Sequence, residues 1–369
     1  MVTRKLFMQS ATAMAAASTL QACGVSGDDK YATTASQTWH RDSLLKEDAL
    51  QVRRELVRMA TLAPSSHNTQ CWKFRVEEHA IFILPDLSRR CPAVDPDDHH
   101  LFVSLGCATE NLLQAAAAHG LQGTVQFGTA GATGATSVQV ILEAGKPSAS
   151  ELFNAITERQ CTRSGFDGKP LSNAELTLLE KAGSGPGVRL MVLTEKSKME
   201  SVLEYVVAGN TAQMADPAFM KELKTWIRFN AAEAVASGDG LYSLSSGSPD
   251  TPRWLGTRLF DLLYSSAKEN QKYAAHIRSS SGIAVFVSEV EDKAHWVEVG
   301  RCYQRFVLQA AALGIRNAML NQPVEVAALR PQFAASLGLQ NKRPDLVVRF
   351  GRGPKMPQSL RRTVDSVLA

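Results

Sequence analysis

Three short strings in this 369-residue chain bring together side chains able to hold a polar heterocycle or an anion. The first runs Ala63-Pro64-Ser65-Ser66-His67-Asn68-Thr69-Gln70-Cys71-Trp72-Lys73-Phe74, setting hydroxyls, amides and an imidazole in one turn between a helical and a strand pattern. Such a loop offers donors and acceptors to the edge of a heterocycle. The same residues also suit a plain Asx/Ser turn that only links helix to strand. The second is Glu158-Arg159-Gln160-Cys161-Thr162-Arg163-Ser164-Gly165-Phe166, with Arg159 and Arg163 four apart at a helix end. Two such arginines can converge on an anion or stack on a ring, or stay as solvated charges. The third, Gly351-Arg352-Gly353-Pro354-Lys355 with Ser359-Leu360-Arg361-Arg362, follows an apolar run and on its own reads as a basic tail.

The string Asp95-Pro96-Asp97-Asp98-His99-His100 invites a metal reading, but no third ligand cluster follows it. A helix start accounts for it better. Asp95 suits the N-cap, Pro96 the first helical position, and Asp97 and Asp98 the positive end of the helix dipole. No metal site is expected.

These strings need elements to position them. Leu50, Val52, Leu56, Val57 and Met59 recur at helical spacing over Asp48–Leu62, and Phe74–Val76 and Ile81–Leu84 read as paired strands. The helix opened near Asp95 has a second copy at a constant offset of 194 residues. Gly106 matches Gly300, Ala116–Ala118 match Ala310–Ala312, Gly120 matches Gly314, and Leu121 matches Ile315. A strand precedes and strand-like residues follow in both places, so the chain reads as two copies of one α+β unit. Gly145 and Pro147 end the first copy, and Ser148 with Glu151, then Ser172 with Glu175, form capping boxes that start new helices. The expected organisation is residues 1–22 as a signal, 23–47 as a flexible tether, 48–147 as copy one and 148–369 as copy two. Copy two carries an insertion at about 208–272, with a Gly/Ser/Pro-rich stretch Ser237–Pro252 of the kind found in lids.

A hydrophobic content of 44% can bury a substantial core, and 21% charged residues argue against disorder. The formal charge is +4, two units of which come from Arg4 and Lys5, and no basic block remains to attract nucleic acid. A charged start, the Ala-rich stretch Ser10–Leu20 and small residues before Cys23 read as an export signal, too short to span a membrane. An ordinary secretory signal with an incidental cysteine reads the same way. Cys71, Cys91, Cys107, Cys161 and Cys302 complete a set of six with Cys23, and their spacing gives neither a disulfide framework nor a zinc pattern.

In this order the strings resemble the nitroreductase family. Its members carry a Pro-Ser-x-x-Asn-x-Gln-Pro-Trp loop, an Arg-x-Ser-x-Arg/Lys segment, a Gly-terminated helix, a Pro-x-Glu segment and a terminal Arg. The resemblance spans about residues 48–366. With the export signal, duplication and insertion, it extends to the Acg family of FMN-binding oxidoreductases, in which one chain imitates the usual dimer and a lid covers the flavin. The resemblance implies an α+β fold of two fused nitroreductase-like units with FMN between them and an unidentified electron donor and acceptor. By it, Arg159 and Arg361 would hold the FMN phosphate, Arg163 would face the pyrimidine edge, and Ser65, Ser66 and Asn68 would come from the loop donated across the interface. Pro323-Val324-Glu325 matches the Pro-x-Glu segment, whose backbone amide approaches flavin N5. Cys71, Cys161 and Val326 depart from the family pattern. Copy two has Ala182-Gly183-Ser184-Gly185-Pro186-Gly187 where its own Pro-Ser loop would stand, which implies one FMN and one vestigial site. The implied activity is FMN-dependent oxidoreduction, with non-catalytic FMN sequestration or sensing as the alternative. Thr3-Arg4-Lys5-Leu6-Phe7 resembles a twin-arginine motif and Leu20-Gln21-Ala22-Cys23 a lipobox, implying a periplasmic lipoprotein anchored at Cys23.

Overall fold

The computed structural model describes residues 27–41, 48–130, 135–340 and 342–369. The signal segment 1–22 and Cys23 lie outside the described residues. The tether expectation changes, because Gly27–Thr38 form helix α1. Its Tyr31 and the following Trp39 are buried, and they explain the order. The Tyr31 hydroxyl donates to Gln358 O at 2.6 Å and the Trp39 indole N–H to Ser359 O at 2.9 Å, so two aromatic anchors dock an otherwise polar helix.

Asp48 opens copy one, its carboxylate accepting the N–H groups of Leu50 and Gln51 at the start of α2 (Ala49–Thr61). Strands β1 (Trp72–Val76) and β2 (Ala80–Pro85) form the expected hairpin. The long α3 (His99–Ala118) leads to β3 (Leu121–Ala130) and β4 (Ala135–Ala144). Helix α3 starts later than Asp95 implied. Asp98 occupies the N-cap at φ 60°, Pro96 lies in the preceding turn, and Asp95 caps from a distance by accepting the N–H groups of His100 and Leu101.

Copy two follows with α4 (Glu151–Ala155), α5 (Asn173–Gly183) and β5 (Val188–Leu193). Ser150, not Ser148, caps α4, accepting Phe153 N–H at 3.0 Å, while the Ser148 amide is committed to Ala117 O. The Ser172/Glu175 capping box forms as expected. Next come α6 (Lys196–Ala215), α7 (Pro217–Trp226), the short β6 (Ile227–Arg228), α8 (Ala231–Ser237), β7 (Leu241–Tyr242), α9 (Arg253–Leu263) and α10 (Ser266–Arg278). The chain then returns through β8 (Gly282–Ser288), α11 (Lys293–Ala312), β9 (Arg316–Met319), α12 (Gln322–Glu325), α13 (Arg330–Ser336), β10 (Pro344–Gly351) and α14 (Val364–Val367).

The first sheet has the order β1-β2-β4-β3 and the second β5-β8-β10-β9, with every neighbouring pair antiparallel. Matching strands in chain order makes these the same topology, so the duplication is present in three dimensions. Where copy one joins β1 to β2 by a tight turn, copy two inserts α6–α10. The insertion is therefore longer than about 208–272, because α6 is unbroken from Lys196 and carries the chain away directly after β5.

The two copies meet where α3 crosses α11. A β carbon on Gly106 would lie 2.0 Å from Val297 O, and one on Gly300 would lie 2.0 Å from Val103 O. Each contact is the other shifted by 194 residues, the reciprocity of a two-fold interface built within one chain. One apolar core runs through both copies, with Trp72 and Phe74 on one side and Phe286 and Phe306 on the other. Gly106→Val forces backbone apart at this crossing, and chemical denaturation should show a loss of about 3 kcal/mol. Unchanged stability would refute the close approach.

Candidate functional site

Helix α2 delivers the chain into Pro64–Gln70, where His67, Asn68 and Gln70 all adopt φ near 50°. Non-glycine residues in the left-handed region need external support. Here Asn68 Nδ2 donates to Gly240 O and Leu360 O, and Gln70 Nε2 to Gly238 O. Arg362 N–H donates to Gln70 Oε1, and Ser65 Oγ accepts Gln70 N–H at 2.9 Å. The insertion and the C-terminal segment thus hold the loop from outside.

Arg361 and Arg159 hold it from below. Arg361 Nε donates to Thr61 O at 2.7 Å and Nη2 to Leu62 O and Ala63 O, while Arg159 Nη2 donates to Leu62 O at 3.1 Å. The carbonyls at the end of α2 carry the negative end of its dipole, which a cation neutralises. Trp39 lies across both guanidinium groups. Burial pushes Arg361 down to about 9, with Arg159 beside it adding to the shift. Neither arginine lines the cavity that lies beyond the loop.

Above this clamp lies a cavity of about 500 Å³. Copy one supplies Pro64, Ser65, Ser66, His67 and, from α3, His100, Val103, Ser104 and Cys107. Copy two supplies Cys161, Arg163, Tyr303, Met319, Gln322 and Glu325. The insertion roofs it with Phe219, Leu223, Phe229, Phe260, Tyr264 and Tyr273. Of the residues expected at a site, Ser65, Ser66, Arg163 and Glu325 therefore converge. Asn68 and Arg361 support the loop instead, because backbone carbonyls take up their donors, and Arg159 joins them through Nη2 alone, its buried Nε having no hydrogen-bond partner among the described residues. Pro323 is buried in the first turn of α12 and does not reach the cavity. The Glu325 amide, expected to face a ligand, donates to Asn321 O at 2.8 Å within α12, so Glu325 presents its side chain.

Sequence reasoning missed His100. Read as part of a helix start, it shares a stripe with Val103, Ser104 and Cys107, the i, i+3, i+4, i+7 spacing of one helical face. The roof comes from the insertion expected as a lid, although its individual aromatic residues left no comparable signal.

The cavity's charge is uneven. The Arg163 guanidinium has no hydrogen bond or ion pair among the described residues. Burial, and then the Arg163 charge, hold His67 down at about 4, and burial with Arg349 and Lys272 does the same for His276. Both imidazoles are neutral at neutral pH. His67 Nε2 and His100 Nδ1 are buried polar atoms with no hydrogen-bond partner. Burial pushes the Glu325 carboxyl up, His100 and Gln213 opposing.

The place related by the internal two-fold is filled differently. Ser104 and Cys107 correspond to Glu298 and Arg301. There Arg301 pairs with Glu298 at 2.6 Å, and Arg305 with Glu110 at 2.9 Å across the copies. Arg305 also donates to Ala182 O and Ser184 O, the loop equivalent to Pro64–His67.

No protein-family model matches the chain. Two Mycobacterium tuberculosis proteins provisionally named NAD(P)H nitroreductases do match along nearly their whole length. One is 24% identical over 332 residues, covering 87% of this chain and 92% of its own. The other, acg, is 22% identical over 338 residues, covering 88% and 97%. The chain is similar to nitroreductases along most of its length. Among solved structures, the FMN-dependent nitroreductase NfnB from Mycobacterium smegmatis in complex with NADPH superposes with a TM-score of 0.36, at 14% identity, over 59% of this chain and 91% of that one. A nitroreductase with bound FMN from Desulfitobacterium hafniense gives 0.36 at 17% identity over 57% and 94%.

Glu325 makes stability depend on pH. Its folded pKa lies above the ordinary value of 4.5, so its contribution is fully present below about 4.5 and is lost as pH rises through the folded pKa. Glu325→Gln removes that loss, so its melting temperature relative to the parent protein should climb between pH 5 and pH 8. A pH-independent difference would show that the carboxyl titrates normally.

Proposed function

We propose that the chain binds FMN in the interface cavity and acts as an oxidoreductase of nitroreductase type, with NAD(P)H as the donor its relatives' names point to. The observation that carries this reading is that Ser65 and Ser66 of copy one and Arg163 and Glu325 of copy two open onto one cavity. Its volume lies within the ordinary range for small-molecule sites. The residues present fit the ring of the group: a guanidinium and a buried imidazole nitrogen without partners among the described residues, with two hydroxyls, are the donors and acceptors a polar ring system needs.

Bound there, FMN supplies a centre that accepts and returns a hydride. Arg163 would hold the ring's pyrimidine edge, where its positive charge would offset the negative charge that collects on reduction. Ser65 and Ser66 orient the ring from the opposite copy. The apolar roof of Phe219, Leu223 and Phe260 keeps bulk water from the reacting face, which strengthens each electrostatic contact inside. Arg159 and Arg361 act at one remove, by fixing the loop that carries the hydroxyls.

The asymmetry between the two related places supports a single site per chain. At the second, Glu110, Glu298, Arg301 and Arg305 pair with one another in place of the small polar groups of the first. Denaturing the purified chain and quantifying released FMN should give one per chain. A ratio near zero sinks the flavin reading, and a ratio near two sinks the single site.

We place the mature chain on the periplasmic side, exported by the twin-arginine route and lipid-anchored at Cys23, on the sequence of residues 3–24. Mass spectrometry of the N-terminal peptide from the membrane fraction should find a diacylated or triacylated Cys23. An unprocessed Met1 removes the anchor.

A further inference from the structure

We propose that His100 and Glu325 share one transferable proton at the cavity wall, and that Glu325 delivers it to the molecule being reduced. The inference rests on the flavin reading above. Both residues line the cavity, His100 from α3 of copy one and Glu325 from α12 of copy two.

The geometry fixes where the proton can sit. His100 Nε2 lies 3.1 Å from Asp345 O. A carbonyl only accepts, so this nitrogen carries a hydrogen. The other ring nitrogen, Nδ1, faces Glu325 Oε1 at 3.7 Å and has no hydrogen-bond partner. With no proton between them, a lone pair faces a carboxylate; with two, two hydrogens oppose each other. One shared proton is the favoured count. Glu325 Oε2 accepts Gln213 Nε2 at 2.7 Å, and an amide N–H can only donate, so the carboxyl hydrogen belongs on Oε1. The separation of 3.7 Å is within the looseness that catalytic contacts show before a ligand tightens them.

The surroundings keep the pair in place without neutralising it. Asp95 accepts the backbone N–H groups of His100 and Leu101. His99, its ring tilted against that of His100, is tied to Asp345 at 2.8 Å. From α13, Arg330 donates to Val324 O and Glu325 O. Arg343 is spent on Asp97 and Glu291. Burial favours the protonated carboxyl.

The step balances as follows. Reducing a quinone-type carbonyl by two electrons requires one hydride, which reduced flavin supplies, and one proton. The Glu325 Oε1–H bond breaks, the acceptor oxygen gains the hydrogen, and the carboxylate recovers a proton from water by way of His100 Nδ1.

The test uses FMN-loaded protein, reduced with dithionite and mixed anaerobically with 1,4-benzoquinone, which needs protons, or with ferricyanide, which takes electrons alone. Per bound FMN, Glu325→Gln should slow the benzoquinone reaction about a hundred-fold more than the ferricyanide reaction and abolish the solvent deuterium isotope effect of the former. His100→Asn should shift the pH midpoint of the benzoquinone rate. Equal slowing with both acceptors, or with neither, overturns the proposal, since Glu325 would then only place the flavin or do nothing. Apoprotein gives a separate reading: a carboxylic-acid C=O infrared band at neutral pH that Glu325→Gln removes. Absence of that band overturns the shared proton whatever the flavin result, whereas flavin-free protein that keeps the band overturns the delivery step along with the FMN reading.

Discussion

Everything in this molecule depends on how closely α3 and α11 cross. Hydrogen atoms at Gly106 and Gly300 let each backbone reach the other's carbonyl, and no side chain could share that space. The cavity lies beside this crossing, floored by Val103, Ser104 and Cys107 on one helix and Tyr303 on the other. Widening the crossing would move the serine loop away from Arg163, because each belongs to a different copy.

Buried arginines do the second structural task. Guanidinium groups deep in a protein need compensation, and Arg159 and Arg361 find it in the carbonyls that end α2. Those contacts aim a loop whose His67, Asn68 and Gln70 could not hold positive φ unaided. Residues that resemble ligand contacts in sequence are here one layer removed, shaping the wall that a ligand would touch.

Duplication within one chain freed the two related places to diverge. An identical pair of subunits must keep both sites or lose both. Here one place carries small polar groups and an unpaired cation, while the other closes over a four-member ionic cluster. Copy two also gained α6–α10, whose Gln213 holds Glu325 and whose aromatic residues roof the cavity, so one excursion both shields the site and tunes a carboxyl within it.

The sequence by itself determined the duplicated α+β unit, through the 194-residue offset of Gly106 and Gly300, and marked Ser65, Ser66 and Arg163 as side chains whose chemistry suits a ligand. Both rest on local periodicity and on chemistry a single side chain carries. It did not determine the direction in which Arg159, Arg361 and Asn68 point, since a guanidinium or amide serves an anion and a carbonyl equally well. It misjudged the tether, because the burial of Tyr31 and Trp39 depends on the distant Gln358 and Ser359. Tertiary structure alone decided the pairing of His100 with Glu325 and the ion pairs that join Glu110 to Arg301 and Arg305. Each of these is a meeting of residues more than a hundred positions apart, and no local pattern in the chain encodes which of them will touch.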